Sequence, residues 1–507
     1  MTAYGGDWVA SAILEDRAER LGDRTFITSS AGSLTYAELA HEAAKVAGAL
    51  RALGIQPGDR VATMLPSGLD YLKVWWGIVW AGAVDVPVNT DFKGEFLEHI
   101  VAGSEAKAFI VAPHLHDRAQ RFKAILHDPA DLTADPVARV PRQERDLLYI
   151  MYTSGTTGRA KGVMHVNRSA LWNAASWIDI LGLTERDVAY SMFPLFHVTA
   201  RSAVVTATMW GGGRVHLADA FSASRFWDEV KAAGATWFGY MGIVIHLLHA
   251  QPERPDDADN GVRIAFGAAA PPGIMDAFEH RFGMRLVEVY GSTELGPASA
   301  PEYPQPRKPG TMGKPLPHLL VEVHDEDDNP LPPGVDGEIV ARPAVPYGMA
   351  VGYWNEPRAT LDAFRNLWFH TGDGGHLDEE GYVVFTDRVK DSLRRRGENI
   401  SSFEVERGVQ RHPDVLECAA YAVPAELSED EVMIAVVARE GRAIDPQALI
   451  GFCIDELPRF MVPRYVRLVD ALPKTPSQRI EKYRLRADGI TPDTFDREAA
   501  GLVVPRS

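Results

Sequence analysis

In the stretch "SLTYAELAHEAAKVAGALRALGIQPGDRVATML" (Ser33 to Leu65), apolar residues recur every three or four positions and then merge into a continuous run. The first pattern predicts an amphipathic helix closed by Gly54, and the second a buried strand. The same alternation returns at "YLKVWWGIVWAGAVDVPVN", "FLEHIVAGSEAKAFIVA", "AASWIDILGLTERDVAYSMFPLF" and "FWDEVKAAGATWFGYMGIVIHLLHAQ". Helix and strand patterns joined by short connections imply βαβ units and parallel-rich sheets flanked by helices, an α/β class. Between about residues 314 and 387 the period shifts to two. There "LLVEVHD", "GEIVAR" and "GYVVFTDRV" read as short antiparallel strands of a small β-subdomain.

A boundary falls near "DRVKDSLRRRGENIS", after which a compact α+β pattern begins. The expected division is therefore 1–389 for a large N-terminal domain and 390–507 for a small mobile C-terminal domain. The tail after Leu485 lacks periodic patterning and is expected to be weakly structured.

Composition narrows the function. With 507 residues, 46% hydrophobic and 24% charged, the chain has the make-up of a globular protein with a large core. A net charge of −17 opposes non-specific binding to nucleic acid or to anionic membrane. Cys418 and Cys453 cannot build a disulfide framework and lack zinc-site spacing. The N-terminus shows no secretory pattern, and the most apolar segment, Val74 to Val84, is too short to span a bilayer. A cytoplasmic protein is expected.

The stretch with most chemistry is "YTSGTTGRAKGV", Tyr152 to Val163. Gly155, Gly158 and Gly162 permit close backbone approach to a ligand. Thr153, Ser154, Thr156 and Thr157 add hydroxyls to the free N–H groups of an anion-binding turn, and Lys161 adds a mobile charge. The apolar "LLYIM" before it predicts a strand, whose end is where α/β sheets bind ligands. The spacing differs from that of P-loop NTPases. Read alone, the stretch is a phosphate cradle or a flexible surface turn.

Further motifs follow in order: "MFPLFHVTA", "GAAAPP", "VYGSTELG", "WFHTGDGGHLDEEGYVVFTDRVKDSLRRRGENISSFEVE" and "LPKTPSQRIEKYRLR". Together they resemble the adenylate-forming (AMP-binding) superfamily of acyl-CoA synthetases, adenylation domains and luciferases. The resemblance runs from "LTYAELA" to "YRLR". "RRRGENISSFEVE" and "PRFMVPRYV" are similar to the crotonobetaine/carnitine-CoA-ligase-like branch.

The resemblance implies an acid–CoA ligase that uses ATP, Mg2+ and coenzyme A. A carboxylate attacks the α-phosphate of ATP, pyrophosphate leaves, and a thiol captures the acyl-adenylate. The 152–163 loop would hold the β- and γ-phosphates. Glu294 would ligate Mg2+, Thr293 would donate to the α-phosphate, and Asp373 would accept from the ribose hydroxyls. Arg388 would reach ribose or phosphates. Tyr290, Gly291 and Ser292 would face adenine from one side, and Gly267, Ala268 and Ala269 from the other. His197 would gate the acyl pocket, with Thr199, Tyr240, Met241, Gly242 and Gly267 as further candidate walls. Lys390 would be the hinge of domain rotation, bringing Gly397 to Asn399 to the pantetheine tunnel. The basic run Arg394 to Arg396 would meet the phosphates of coenzyme A. Taken singly, Glu294 also reads as a helix N-terminal carboxylate, Asp373 as a turn residue, and Tyr290 and His197 as core side chains.

One position departs. Where the family carries its C-terminal catalytic lysine, "PSQRIEK" has Arg479, with Lys482 three residues on. A planar guanidinium differs in reach from an ammonium, so weakened adenylation is expected. The alternatives are a stand-alone adenylation enzyme that loads a carrier protein in trans, and a nucleotide-binding pseudo-enzyme. The pattern leaves the identity of the carboxylic acid open, and equally the choice between monomer and homodimer.

Overall fold

The structure, a computed structural model, describes residues 8–504 except 154–159, 269, 271, 389–392, 396–397, 401, 425–429, 458–460 and 476–479. Two large sheets organise the first part of the chain. One has seven strands, in the order Arg285–Glu288, Ile264–Ala268, Trp237–Met241, Val188–Ser191, Arg214–Leu217, Thr25–Ser29 and Gly32–Thr35. Its strands run parallel except for the last hairpin. The other has six strands, in the order Leu126–His127, Ala108–Val111, Arg60–Met64, Val84–Pro87, Leu147–Tyr152 and Gly162–Val166, and only its last pair is antiparallel.

The central strands are short, apolar and buried on both faces, as parallel strands under helices must be. One continuous core joins the two sheets through the helices Tyr36–Ala52, Leu69–Trp80 and Asn167–Leu181. The first of these starts at a capping box, Thr35 Oγ1 accepting from the Glu38 N–H at 3.1 Å and Glu38 Oε2 from the Thr35 N–H at 2.7 Å. Such a cap is worth about 1 kcal/mol. The opposite face of the seven-stranded sheet is covered by Phe226–Ala233, Gly242–His249 and Pro272–Phe282.

The period-two region forms an antiparallel sheet of Leu319–His324, Gly337–Pro343, Phe369–Leu377 and Val383–Arg388. Its inner face packs on Tyr290 and Leu295. Beyond residue 400 lies a separate core around the strands Val415–Pro424, Asp430–Ala438 and Tyr465–Leu468.

The tail corrects one expectation. Lys482–Asp488 is helical, and Phe495–Asp496 adds a strand beside Tyr465–Val466. Arg497 is buried, its Nε donating to the Pro463 carbonyl at 3.2 Å and its Nη1 to the Leu502 carbonyl at 2.9 Å. Arg464 and Asp496 add an ion pair at 3.1 Å. These polar ties act together with scattered apolar anchors, Leu485, Phe495, Leu502 and Val504, which pack on the C-terminal cores without forming a hydrophobic period.

Candidate active site

The strand Leu147–Tyr152 enters the glycine–threonine loop and Gly162–Val166 leaves it, the two pairing antiparallel. The Thr153 N–H donates to the Lys161 carbonyl at 3.0 Å and closes the loop at its base. His99 Nε2 holds the Ala160 carbonyl at 2.7 Å. A methyl group on Gly162 would lie 2.7 Å from Ile150 Cγ2, so the exit strand needs glycine there. Lys161 Nζ stands 4.9 Å above the ring of Tyr353. The exit strand is laced to residues 350–354 by Trp354 N–H to Gly162 carbonyl at 2.8 Å and Met164 N–H to Gly352 carbonyl at 2.9 Å.

Thr293 and Glu294 sit at the tip of a hairpin, Tyr290–Ser292 against Gly296–Ala300. Gly296 has φ +67°, and a methyl there would fall 2.0 Å from Asn173 Oδ1. Only glycine turns the chain so close to that helix. Buried His165 holds the tip from behind, with Nε2 2.8 Å from the Thr293 carbonyl and Nδ1 3.1 Å from Ser169 Oγ. The carbonyl can only accept, so Nε2 carries the proton and Nδ1 accepts from Ser169. Burial pushes this imidazole down to about 4, keeping it neutral. The Tyr353 hydroxyl donates to Glu294 Oε1 at 3.0 Å. Burial and the adjoining carboxylate push that phenol far above its ordinary value, so it stays a donor.

At the base of the same hairpin the Tyr290 hydroxyl donates to Asp373 Oδ2 at 2.9 Å. Asp373 lies opposite Arg388 in the strand register. Gly267 ends a neighbouring strand, and a methyl on it would meet the Tyr240 ring at 2.5 Å. Ala268 follows it, and Glu288 Oε1 accepts from the Ala270 N–H at 2.7 Å. Thus Lys161, Thr293 and Glu294 are brought together through Tyr353 and His165, and Tyr290 with Asp373 is joined to them through Gly291 and Ser292.

His197 occupies another loop, after Val188–Ser191, where Nδ1 accepts from the Thr199 N–H at 3.3 Å. Below this loop Gly239 is wedged between rings, since a methyl would lie 2.5 Å from Phe193 and 3.0 Å from Phe266. Phe266 packs on Trp177 with centroids 4.4 Å apart. Met241 and Gly242 join the strand Trp237–Met241 to the helix that follows.

Ser154, Gly155, Thr156, Thr157, Gly158, Ala269, Lys390, Gly397 and Arg479 lie outside the described residues. Lys482, the other cation near the family's lysine position, pairs with Glu406 at 2.8 Å inside the C-terminal part. Reading the sequence missed His165, Tyr353 and His99. No motif marks them, because each acts through a contact set by tertiary pairing.

Among the described residues no group of three or more His, Cys, Asp or Glu side chains could hold a metal. Glu294 fits the one carboxylate that a Mg2+ ion retaining phosphate and water ligands requires. No helix of the described residues is long and apolar enough to cross a membrane.

The model of the AMP-binding enzymes matches residues 14–354, and that of their C-terminal domain matches residues 404–479. The chain is 32% identical to a sulfoacetate–CoA ligase of Cupriavidus necator, over 94% of this chain and 97% of the other. It is 32% identical to a feruloyl-CoA synthase of an Amycolatopsis species, over 93% and 97%. Among solved structures, ATP-bound MatB from Rhodopseudomonas palustris superposes with a TM-score of 0.87 at 27% identity, over 94% and 98%.

Proposed function

Because the chain belongs to the AMP-binding enzyme family, we propose that it activates a compact monocarboxylic acid with an apolar acyl part and transfers it to coenzyme A. At the level the family sets, it is an AMP-forming acid–CoA ligase, and use of ATP and coenzyme A fits that family. The single observation that carries the reading is the convergence of Lys161, Thr293, Glu294, Tyr290 and Asp373 on one hairpin and its stitching strand.

In this reading the carboxylate attacks the α-phosphorus and pyrophosphate departs, a step that needs charge neutralisation and alignment more than covalent help. Thr153 to Lys161 hold the departing phosphates. Glu294 would hold Mg2+, which supplies charge neutralisation between the phosphates. Thr293 donates to the α-phosphate, Asp373 and Arg388 orient the ribose, and Tyr290 to Ser292 with Gly267 to Ala269 enclose adenine. Arg479 takes the place of the family's lysine, a choice supported by the commitment of Lys482 to Glu406. Rotation about Lys390 then presents Gly397 for thioester formation.

The acid is inferred from the wall beneath His197 and Thr199. Phe193 in that loop and the buried rings of Phe266 and Trp177 packed beneath it make its surroundings aromatic. The nearby basic side chain, Arg201, is neutralised by Asp85. A second anionic group, such as the sulfonate named for the Cupriavidus relative, meets rings there and not a cation.

The test is a panel of acetate, butyrate, benzoate, ferulate and sulfoacetate with ATP and coenzyme A, scoring AMP and thioester separately. Benzoate or butyrate giving both products is the expected result. Preference for sulfoacetate removes the substrate assignment, and AMP without thioester points to a carrier protein as acceptor. Arg479→Lys should raise ATP–pyrophosphate exchange. Lys390→Pro should impair thioester formation more than adenylation.

A further inference from the structure

Behind the loop that bears His197 lies a charged cluster with no role in the chemistry above. Arg201 and Asp85 form an ion pair with side chains 2% and 0% exposed. Asp85 belongs to the strand Val84–Pro87 of the six-stranded sheet. Arg201 lies in a π-helical stretch, Ala200–Thr206, that continues the loop from the seven-stranded sheet. Every arm of the guanidinium is used. Nη1 donates to Asp85 Oδ2, Nη2 to the Tyr71 hydroxyl at 3.0 Å, and Nε to the Leu195 carbonyl at 2.7 Å. The Trp75 ring lies 4.3 Å beneath it, and Thr63 Oγ1 donates to the second Asp85 oxygen at 3.1 Å.

The Leu195 peptide is gripped from its other side too. Its N–H donates to Ser67 Oγ at 2.9 Å, in the bend after the strand Arg60–Met64. Arg201 and Ser67 thus fix both backbone polar groups of Leu195, two residues before His197, against the central strands of the other sheet. The backbone adds an Arg201 N–H to His197 carbonyl bond at 3.2 Å.

A buried ion pair is weak evidence for stability, since apolar residues of similar volume often serve as well. Its use here is geometric. A planar fork with five donors can hold a carboxylate, a hydroxyl and a carbonyl at fixed angles, which neither a lysine nor an apolar side chain can do. Helical stretches of π type are rare and recur at functional sites.

We infer that Arg201, with Asp85 and Ser67, is a positioning device that clamps the Leu195 peptide and so sets His197 and Thr199 for the carboxylic acid. This rests on the acid–CoA ligase reading, which places that loop at the acyl pocket. Displacements near an ångström at a substrate-positioning group can cost about a hundredfold, so partial loosening is expected to cost roughly tenfold.

The experiment compares Ser67→Ala, Ser67→Thr, Arg201→Lys and the paired Asp85→Leu/Arg201→Met with wild type. Ser67 is exposed and uncharged, so its variants test the clamp even where an Arg201 variant fails to fold. Two readouts are taken: hydrogen exchange of the Leu195 amide, and KM for the best acid of the panel against KM for ATP. Expected in Ser67→Ala is at least tenfold faster exchange at Leu195 and about tenfold higher acid KM, with ATP KM within twofold. Ser67→Thr, which keeps the hydroxyl, restores both. Arg201→Lys and the paired variant show the same split when folded. Wild-type exchange and acid KM in Ser67→Ala overturn the proposal, as does an equal rise in both KM values. If no acid yields AMP with wild type, the ligase reading fails by itself, and the exchange arm still decides the clamp.

Discussion

The two halves of the candidate site are held by different physics. Around Thr293 and Glu294 the ties are neutral or singly charged hydrogen bonds: His165 to a carbonyl, Tyr353 to Glu294, Tyr290 to Asp373. Around His197 the tie is a fully buried ion pair between two sheets, resting on aromatic rings. A nucleotide needs hydroxyls, amides and carboxylates left open to it, so the half proposed to hold it is scaffolded by groups that orient without adding net charge. The proposed apolar acid needs a dry wall, and there a rigid fork can be hidden at the cost of desolvating two charges. The lesson is that the same degree of order is reached by many weak ties on one side and one strong knot on the other. The strong knot should then be the brittle one.

The largest expected effect tests that brittleness. Asp85→Leu alone leaves the Arg201 charge buried without its partner, which costs about 3–5 kcal/mol. Thermal melting should fall by several degrees, and adding Arg201→Met should recover most of the loss. Equal melting of the single and paired variants would dissolve the contrast. Next is Glu294→Ala, which removes the proposed Mg2+ ligand while leaving its surroundings packed. Adenylation measured by pyrophosphate release should fall about 10²–10³-fold, or roughly 3–4 kcal/mol, while melting falls only modestly because the Tyr353 hydroxyl loses its acceptor.

A smaller effect separates the halves by pH. The free imidazole titrates near 6.5, whereas burial holds His165 at about 4. In that interval the unfolded chain binds a proton that the folded chain refuses, so stability is complete above pH 6.5 and declines as pH falls toward 4. The slope is about 1.4 kcal/mol per pH unit for one such group. His318, also held at about 4 by burial, contributes in the same direction. His165→Gln keeps a donor for the Thr293 carbonyl and should flatten the slope of denaturant stability by about 1 kcal/mol per pH unit. An unchanged slope would mean that His165 is not held neutral.

This division also explains what could be read from the chain. The alternating sheets, the antiparallel region and the proposed nucleotide half are encoded locally, in stretches such as "YTSGTTGRAKGV" and "VYGSTELG", where turn glycines and hydroxyls sit side by side. Lys161, Glu294 and Asp373 were therefore legible as candidates. The proposed acyl half is encoded at long range. Arg201 and Asp85 are 116 positions apart, and Leu195 and Ser67 are 128 apart. Nothing local distinguishes Asp85 from a polar residue at a strand edge. His165 and Tyr353 escaped for the same reason, and the tail was misjudged because its order comes from Arg464, Asp496 and Arg497 and from scattered apolar anchors such as Phe495 and Leu502, with no apolar period.

Tyr353 is where the halves can be compared most finely, because one hydroxyl there does a small version of what Arg201 does. It donates to Glu294 Oε1 at 3.0 Å while its ring lies under Lys161 at 4.9 Å. Tyr353→Phe removes only the hydrogen bond and keeps the ring beneath the ammonium. The freed carboxylate oxygen is close enough to solvent to be rehydrated, so the loss should be well below that of a buried charged bond. About a threefold fall in adenylation is expected, close to 0.7 kcal/mol. The accompanying sign is specific: half-saturating Mg2+ should rise by about the same factor, because an unheld carboxylate must be ordered when the metal binds. If adenylation falls with Mg2+ dependence unchanged, Tyr353 acts through Lys161 and the phosphate loop, and Glu294 loses its claim to the metal.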